Sequence, residues 1–289
     1  EPGTVAELRI LNTTKGTVSG YYTDLDKMAG DAAAWDGRAP AIYCTLNPVR
    51  EDLLARANNR LELYAKHTTA DQDILRRVWF PMDLDAVRPA GISATDAEHE
   101  AALARAKEVR AFLAGLGWPD SVEADSGNGG HLLNSVELPN DEASRDLLQR
   151  CVDALAFKFS DEAVLFDQKV VNAARIWKFY GTLACKGDEI PGRPHRRAKL
   201  LYVPPQLQPV PIELLEKLAA MAPKQASMRR PQNGTRFDLE GWLATSGLQV
   251  AQRKPWNGGS AWILNPCPWE PSHTNRAAFI IQFPDGGID

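Results

Sequence analysis

The sequence predicts an α+β fold centred on a βαββαβ unit, and three observations carry that expectation. Val78 to Asp85 alternates, with Phe80, Met82 and Leu84 on one face and Pro81, Asp83 and Asp85 on the other, as a half-buried strand does. Thr95-x-x-Glu98 is a capping box ahead of an apolar stripe of Ala102, Ala106, Val109, Leu113 and Leu116, which marks a helix. Ser126-Gly127-Asn128-Gly129-Gly130 separates two strand-like runs, Ser121 to Asp125 and His131 to Leu138, in the manner of a hairpin turn.

The other elements follow in order. Up to about residue 75, Ala41 to Leu46 reads as a strand and Glu51 to Tyr64 as a helix, with Leu53, Leu54, Ala57 and Leu61 at helical spacing, so an α/β module precedes the unit. Gly115 and Gly117 end the first helix of the unit. Asp141 to Phe157 supplies its second helix, burying Leu147, Leu148, Cys151, Val152 and Leu155, and Val164 to Val171 its last strand. This order is that of the ferredoxin-like fold, in which the first and third strands are central neighbours and the fourth flanks the first. Asp83 and Asp85 are then expected between His131 and Asp167.

From residue 203, Pro204, Pro205, Pro209 and Pro211 mark a linker. Ile212 to Met221 and Phe237 to Gly247 read as helices on either side of the basic stretch Lys224 to Thr235, which includes Arg229 and Arg230, and a Trp- and Pro-rich tail follows. The expected domains are 1–202, with modules 1–75 and 76–202, and 203–289, a linker with a small, mainly helical C-terminal extension. A chain that begins at Glu1 and stops at Asp289 just after a strand-like run reads as a fragment.

At 289 residues and 44% hydrophobic, the composition is that of a globular protein. A net charge of -4 excludes a global basic field, so any nucleic-acid contact has to be local. The four cysteines lack CxxC spacing and suit a reducing cytoplasm better than a disulfide scaffold. No apolar run reaches the roughly 18 residues of a membrane span, so no membrane partner is expected.

Two carboxylates at i and i+2 on a strand point the same way, roughly 7 Å apart, and can hold oxygen-seeking Mg²⁺ or Mn²⁺. Asp167 offers a third. Two such ions about 3.5 to 4 Å apart activate an attacking 3'-hydroxyl and steady the leaving pyrophosphate. A D-x-D alone is a weak signal, and the chain carries its own control: Asp24-Leu25-Asp26 has the spacing without the strand alternation and reads as solvated surface. The Gly-rich turn offers backbone N–H groups to a phosphate, with Ser126 and His131 as further donors; a plain hairpin turn is the alternative. Because no Gly-Lys-Ser/Thr follows, it is not a Walker loop. Between Asn172 and Lys186, Arg175 and Lys186 read either as triphosphate contacts or as solvated residues of a strand and turn. Arg193, His195, Arg196, Arg197 and Lys199 form a basic cluster suited to a template backbone, or else a soluble loop.

Together these motifs resemble the archaeo-eukaryotic primase superfamily, in particular the primase-polymerases of phages, plasmids and other mobile elements. The likeness lies in Phe80-Pro81-Met82-Asp83-Leu84-Asp85 with Arg88-Pro89 and Gly91-Ile92-Ser93-Ala94-Thr95, in Ser126-Gly127-Asn128-Gly129-Gly130-His131, and in Leu165-Phe166-Asp167 followed by Arg175 and Gly181-Thr182. The resemblance implies Asp83, Asp85 and Asp167 as ligands of two Mg²⁺ or Mn²⁺ ions, with His131 completing the catalytic group. It implies Ser126, His131, Arg175 and Lys186 as contacts to an incoming nucleotide. DNA primase or polymerase activity follows, with single-stranded DNA template, primer and nucleoside triphosphates as partners, on an RRM-like catalytic module. Phe237-Asp238-Leu239 and Cys267-Pro268-Trp269-Glu270-Pro271-Ser272-His273 resemble segments that precede a helicase domain in longer relatives. Cys267 and His273 are two of the four ligands a structural zinc needs, so no complete zinc site is expected. Two rivals stay open. Another two-metal transferase or cyclase on this topology would not ordinarily carry the S-G-N-G-G-H turn, and a non-catalytic nucleic-acid module would present stacking aromatics where Asp83 and Asp85 stand.

Overall fold

The computed structural model describes residues 4–223, 237–256, 258–268, 278–284 and 288. It is a mixed α+β protein with several antiparallel sheets, divided into two compact units, Glu1–Ala222 and Pro223–Asp289. Among the described residues no helix is long and apolar enough to cross a membrane.

The first unit opens with a hairpin of β1 (Ala6–Thr13) and β2 (Gly16–Tyr22), then α1 (Leu25–Trp35) and β3 (Ala41–Thr45). Asp24 caps α1 by accepting the Lys27 N–H at 3.0 Å, and Asp26 sits in its exposed first turn. The second D-x-D is therefore a helix start, where carboxylates favour the free N–H groups. Met28 and Ala32 of α1 pack on Leu8, Ile10, Val18, Tyr22 and Ile42 to form the core of this sheet.

The helix expected over Glu51 to Tyr64 is only a 3-10 turn, Glu51–Arg56. Asn59 and Tyr64 take positive φ, so the chain turns instead of winding on, and Leu53 and Ala57 pack against Tyr21, Val49 and Ile74.

The second sheet is built from β4 (Arg76–Ala86), α2 (Asp96–Gly115), β5 (Val122–Asp125), β6 (Gly129–Pro139), α3 (Glu142–Phe159) and β7 (Val164–Phe166). Thr95 and Glu98 cap α2 reciprocally, as the sequence indicates. Phe80, Met82 and Leu84 of β4 are fully buried. The strand expected over Val164 to Val171 ends at Phe166, because the chain then leaves this sheet. It crosses to the first one and adds β8 (Ile176–Lys178) beside β3. The first sheet thus has the order β2-β1-β3-β8 and draws its last strand from beyond residue 75, so the expected module boundary does not hold.

β9 (Leu183–Ala184) and β10 (Arg196–Arg197) form a small ribbon, and β11 (Lys199–Tyr202) pairs with β5. The second sheet then has the order β11-β5-β6-β4-β7, all antiparallel. α4 (Ile212–Ala219) belongs to the first unit instead of the region after residue 203. It buries Leu215, Leu218 and Ala219, and Cys151 of α3 donates its thiol to Leu215 O at 3.2 Å.

Among its described residues the second unit is not mainly helical. After the short α5 (Leu239–Thr245) come β12 (Val250–Trp256), β13 (Gly259–Leu264) and β14 (Ala278–Gln282), an antiparallel meander. The Trp-rich segments are strands that pack Trp262, Leu264 and Ala278 on Leu239 and Leu243. Cys267 is buried in that core, whereas His273 and the stretch Lys224 to Thr235 lie outside the described residues.

Candidate active site

Strand register assembles the carboxylates. On β4, Asp83 pairs with His131 of β6 and Asp85 with Gly129. On the other side Asp85 is opposite Leu165, and the Asp167 N–H donates to Asp83 O at 2.8 Å. His131, Asp83 and Asp167 therefore stand in one row across three strands. The sequence left the height of Asp167 open; the last backbone bond of the β4–β7 ladder sets it.

This row lies in a cleft of 360 Å³ between the two sheets of the first unit. Asp83, Asp85, Asn128, His131 and Asp167 line it from the second sheet, and Tyr43, Trp177 and Lys178 from the first, with Ser126, Arg175 and Lys186 also reaching it. All the candidate site residues thus meet in one cavity.

Each carboxylate faces a nitrogen donor. Asp83 Oδ1 is 3.4 Å from His131 Nε2, Asp85 Oδ1 is 3.4 Å from Arg88, and Asp167 Oδ2 accepts from Arg175 Nη2 at 3.0 Å. Burial opposes ionisation of Asp83, but His131, Arg175 and Lys186 outweigh it and hold the carboxyl below its ordinary value. Burial and then the Asp83 charge push Asp85 upward against Arg88 and Lys186, and water softens that rise because 40% of its side chain is exposed. The pair thus divides into a firmly ionised member and a more basic one.

Among the described residues no three His, Cys, Asp or Glu side chains form a ready-made metal cage. Asp167 is turned to Arg175 and to the Lys169 N–H at 2.8 Å. Asp83 does fit a hard cation. Its Oδ1 is buried and makes no hydrogen bond of ordinary geometry, with His131 Nε2 3.4 Å away, and an anionic oxygen so underbonded is what Mg²⁺ or Mn²⁺ satisfies.

The Gly-rich turn is not a phosphate cradle, because its N–H groups are already used. Ser126 N–H bonds Gly129 O, Gly127 N–H bonds Asp125 Oδ1, and those of Asn128 and Gly129 bond Ser126 Oγ. Ser126 lines the cleft, but its hydroxyl closes the turn and also donates to Gly129 O at 3.2 Å. Burial opposes ionisation of Asp125, yet hydrogen bonds with His99 at 2.8 Å and Gly127 N–H at 2.7 Å keep its carboxyl low. Glycine is needed at 129 for close approach: a Cβ there would lie 2.3 Å from Leu84 O and 2.7 Å from Asp85 Oδ1. Gly129→Ala is expected to push Asp85 aside and to lower both the melting midpoint and the chemistry of the cleft, which thermal melts and activity assays report.

His131 is held by aromatic groups that sequence reasoning did not single out. Its ring lies 4.2 Å from that of Trp177, and its Nδ1 is 2.9 Å from Tyr180 Oη. Trp177 Nε1 donates to the same phenol oxygen at 2.8 Å, and the arrangement in which Tyr180 gives its own proton to Nδ1 puts the ring proton on Nε2, facing Asp83. Burial pushes the Tyr180 phenol well above its usual value, so it stays a donor. Tyr180→Phe is expected to lower turnover about 10-fold to 100-fold and to shift the His131 ¹⁵N resonances. Those resonances would not move if Tyr180 only filled space.

The basic cluster, read as a template contact or else a soluble loop, is committed to other partners. Arg193 forks onto Glu98 at 2.8 and 3.0 Å, Arg196 pairs with Asp96 at 2.6 Å, and Arg197 pairs with Asp36 at 2.5 Å. His195 Nε2 contacts Gly187 O at 2.9 Å. Arg193 and Arg196 pin the segment around the β9–β10 ribbon to the start of α2 and Arg197 pins it to the end of α1, and Lys199 alone among them stays exposed without an ion pair among the described residues.

No family model matches the chain, and neither does any curated protein or solved structure, so the chemistry is read from the geometry of the cleft.

Proposed function

We propose that the chain is a template-directed nucleotidyl transferase, a DNA primase-polymerase of the archaeo-eukaryotic primase type. The observation that carries the reading is the row His131, Asp83, Asp167 at the floor of one cleft, with Asp83 Oδ1 buried and without a hydrogen bond of ordinary geometry. The order of β5, β6, β4 and β7 is the one a ferredoxin-like catalytic module requires, and it supports the RRM-like assignment.

Asp83, Asp85 and, once released from Arg175, Asp167 are the residues that would hold two divalent cations. Bound there, Mg²⁺ or Mn²⁺ supplies charge stabilisation at the attacking and departing oxygens. The chain's own residues do the rest. His131, oriented by Tyr180, offers its Nε2 proton to a phosphate oxygen. Arg175, relieved of Asp167, becomes available to the same phosphates. The template and primer strands, the nucleoside triphosphate and a helicase domain in a longer chain are the partners this reading implies.

Primer extension and unprimed synthesis with Mg²⁺ or Mn²⁺ test the proposal, comparing the parent with Asp83→Ala plus Asp85→Ala. Extension that needs neither aspartate would overturn it. Cyclisation of a nucleotide in place of extension would favour the cyclase alternative.

A further inference from the structure

We infer that Lys178 is the fixed oligophosphate-binding group of the cleft. It stands on β8 opposite Tyr43 of β3 and lines the cavity that holds the aspartates. The residue is 7% exposed. Its ammonium donates to Leu183 O at 3.0 Å and lies 5.9 Å from the centre of the Tyr43 ring. Among the described residues it makes no ion pair, so two of the three N–H donors of a lysine remain unspent.

The neighbouring charges explain why. Asp36, the carboxylate that acts on Lys178, already accepts the Leu183 N–H at 2.7 Å and Arg197 at 2.5 Å, while Lys186 repels the ammonium and Cys185 adds only a thiol. Burial pushes the amine down to about 8, which leaves it mostly charged at neutral pH. A desolvated cation with one hydrogen bond costs folding free energy, and that cost has no structural return here. An anion entering the cleft removes it.

Other cations of the site are less suited. Arg88 and Arg175 are already paired with Asp85 and Asp167, and Lys186 is exposed and hydrated. An oligophosphate suits the cleft better than a carboxylate, because Asp83 and Asp85 on the facing sheet repel a simple anion and accept the divalent cation that accompanies a phosphate chain. A nucleoside triphosphate as the full ligand rests on the polymerase reading above, whereas binding of the phosphate chain itself does not.

Calorimetric titration of sodium tripolyphosphate into the full chain in EDTA at pH 7 tests this. Lys178→Met and Lys178→Gln, which keeps a donor for Leu183 O, are compared with the parent and with Asp83→Asn plus Asp85→Asn. The parent is expected to bind, both lysine variants to bind at least about tenfold more weakly with a melting midpoint unchanged or raised, and the double asparagine variant to bind as tightly or more tightly. Binding that survives both lysine substitutions, a parent that does not bind, or melting midpoints lowered in both variants would overturn the inference. If tripolyphosphate binding depends on Lys178 but primers are never extended, the polymerase reading fails and the phosphate site stands. The reverse pattern separates the two the other way.

Discussion

Asp83→Asn alone is expected to slow primer extension by about a thousandfold, more than Asp85→Asn does, with little change in the melting midpoint. Asp83 is the centre of the row: His131 faces it from β6, the Asp167 N–H bonds its carbonyl from just past β7, and its buried Oδ1 has only the long 3.4 Å approach of His131 Nε2. An asparagine keeps the backbone register and most of the shape but replaces an anionic oxygen with a neutral amide, so the charge that attracts a divalent cation is lost. Asp85 is more exposed, and its raised pKa leaves it less firmly ionised, which predicts a smaller loss. The control is Asp24→Ala with Asp26→Ala. It removes the cap of α1, costing about 1 kcal/mol, and should leave extension per folded molecule unchanged. Comparable activity in Asp83→Asn and the parent would remove the basis for placing chemistry in this cleft.

The contrast between the two D-x-D copies shows what was legible in the chain. Asp83 and Asp85 were readable because β4 is central and half-buried, so its apolar and polar faces alternate cleanly. The α2 cap was readable because a capping box is a local device. β1 and β2 hid for the opposite reason. Glu7 is fully buried beside Leu8, and Val18 to Tyr22 are buried on both faces, with Arg60 O so near Gly20 that a Cβ would stand 2.1 Å from it. Alternation vanishes where both faces are covered. β8 has three residues and exists only because β3 accepts it, a long-range fact that no local pattern carries. The same crossing brings Trp177, Lys178 and Tyr180 to the site; Arg175 and Lys186 could be singled out from charge, whereas the aromatic contacts of Trp177 and Tyr180 and the burial of Lys178 are set by long-range packing. The pairing of the basic cluster was not legible because its partners, Asp36, Asp96 and Glu98, lie about a hundred or more residues earlier in the chain.

Glu7→Ala is expected to cost about 3 to 5 kcal/mol, a large share of the stability of a domain this size. Glu7 is 0% exposed and accepts four hydrogen bonds: from Arg9 Nε at 2.8 Å and Nη2 at 2.5 Å, from Ser19 Oγ at 2.6 Å and from the Thr69 N–H at 3.0 Å. Alanine would take the acceptor from all four donors, leaving only Arg9 Nη2 a second one in Thr69 O at 3.3 Å, and Arg9 would be a nearly buried guanidinium without its anion. Glu7→Gln separates charge from shape. Burial works against the carboxylate, yet Arg9, Ser19 and Thr69 hold its pKa below the ordinary 4.5. As acid is added, the unfolded chain therefore takes up this proton first. The stabilisation is complete above about 4.5 and is lost as the pH falls from there through the depressed folded value. Urea midpoints measured from pH 7 down to pH 3 should fall for the parent below that point, and the Gln variant should start lower and lack that share of the slope. Because β1 also carries Leu11 and Asn12 to the cleft, the damage reaches function only through the fold. Activity per folded molecule in the cold should match the parent, and a Glu7→Gln protein that is as stable as the parent at pH 7 would show that the four bonds do not hold the first sheet.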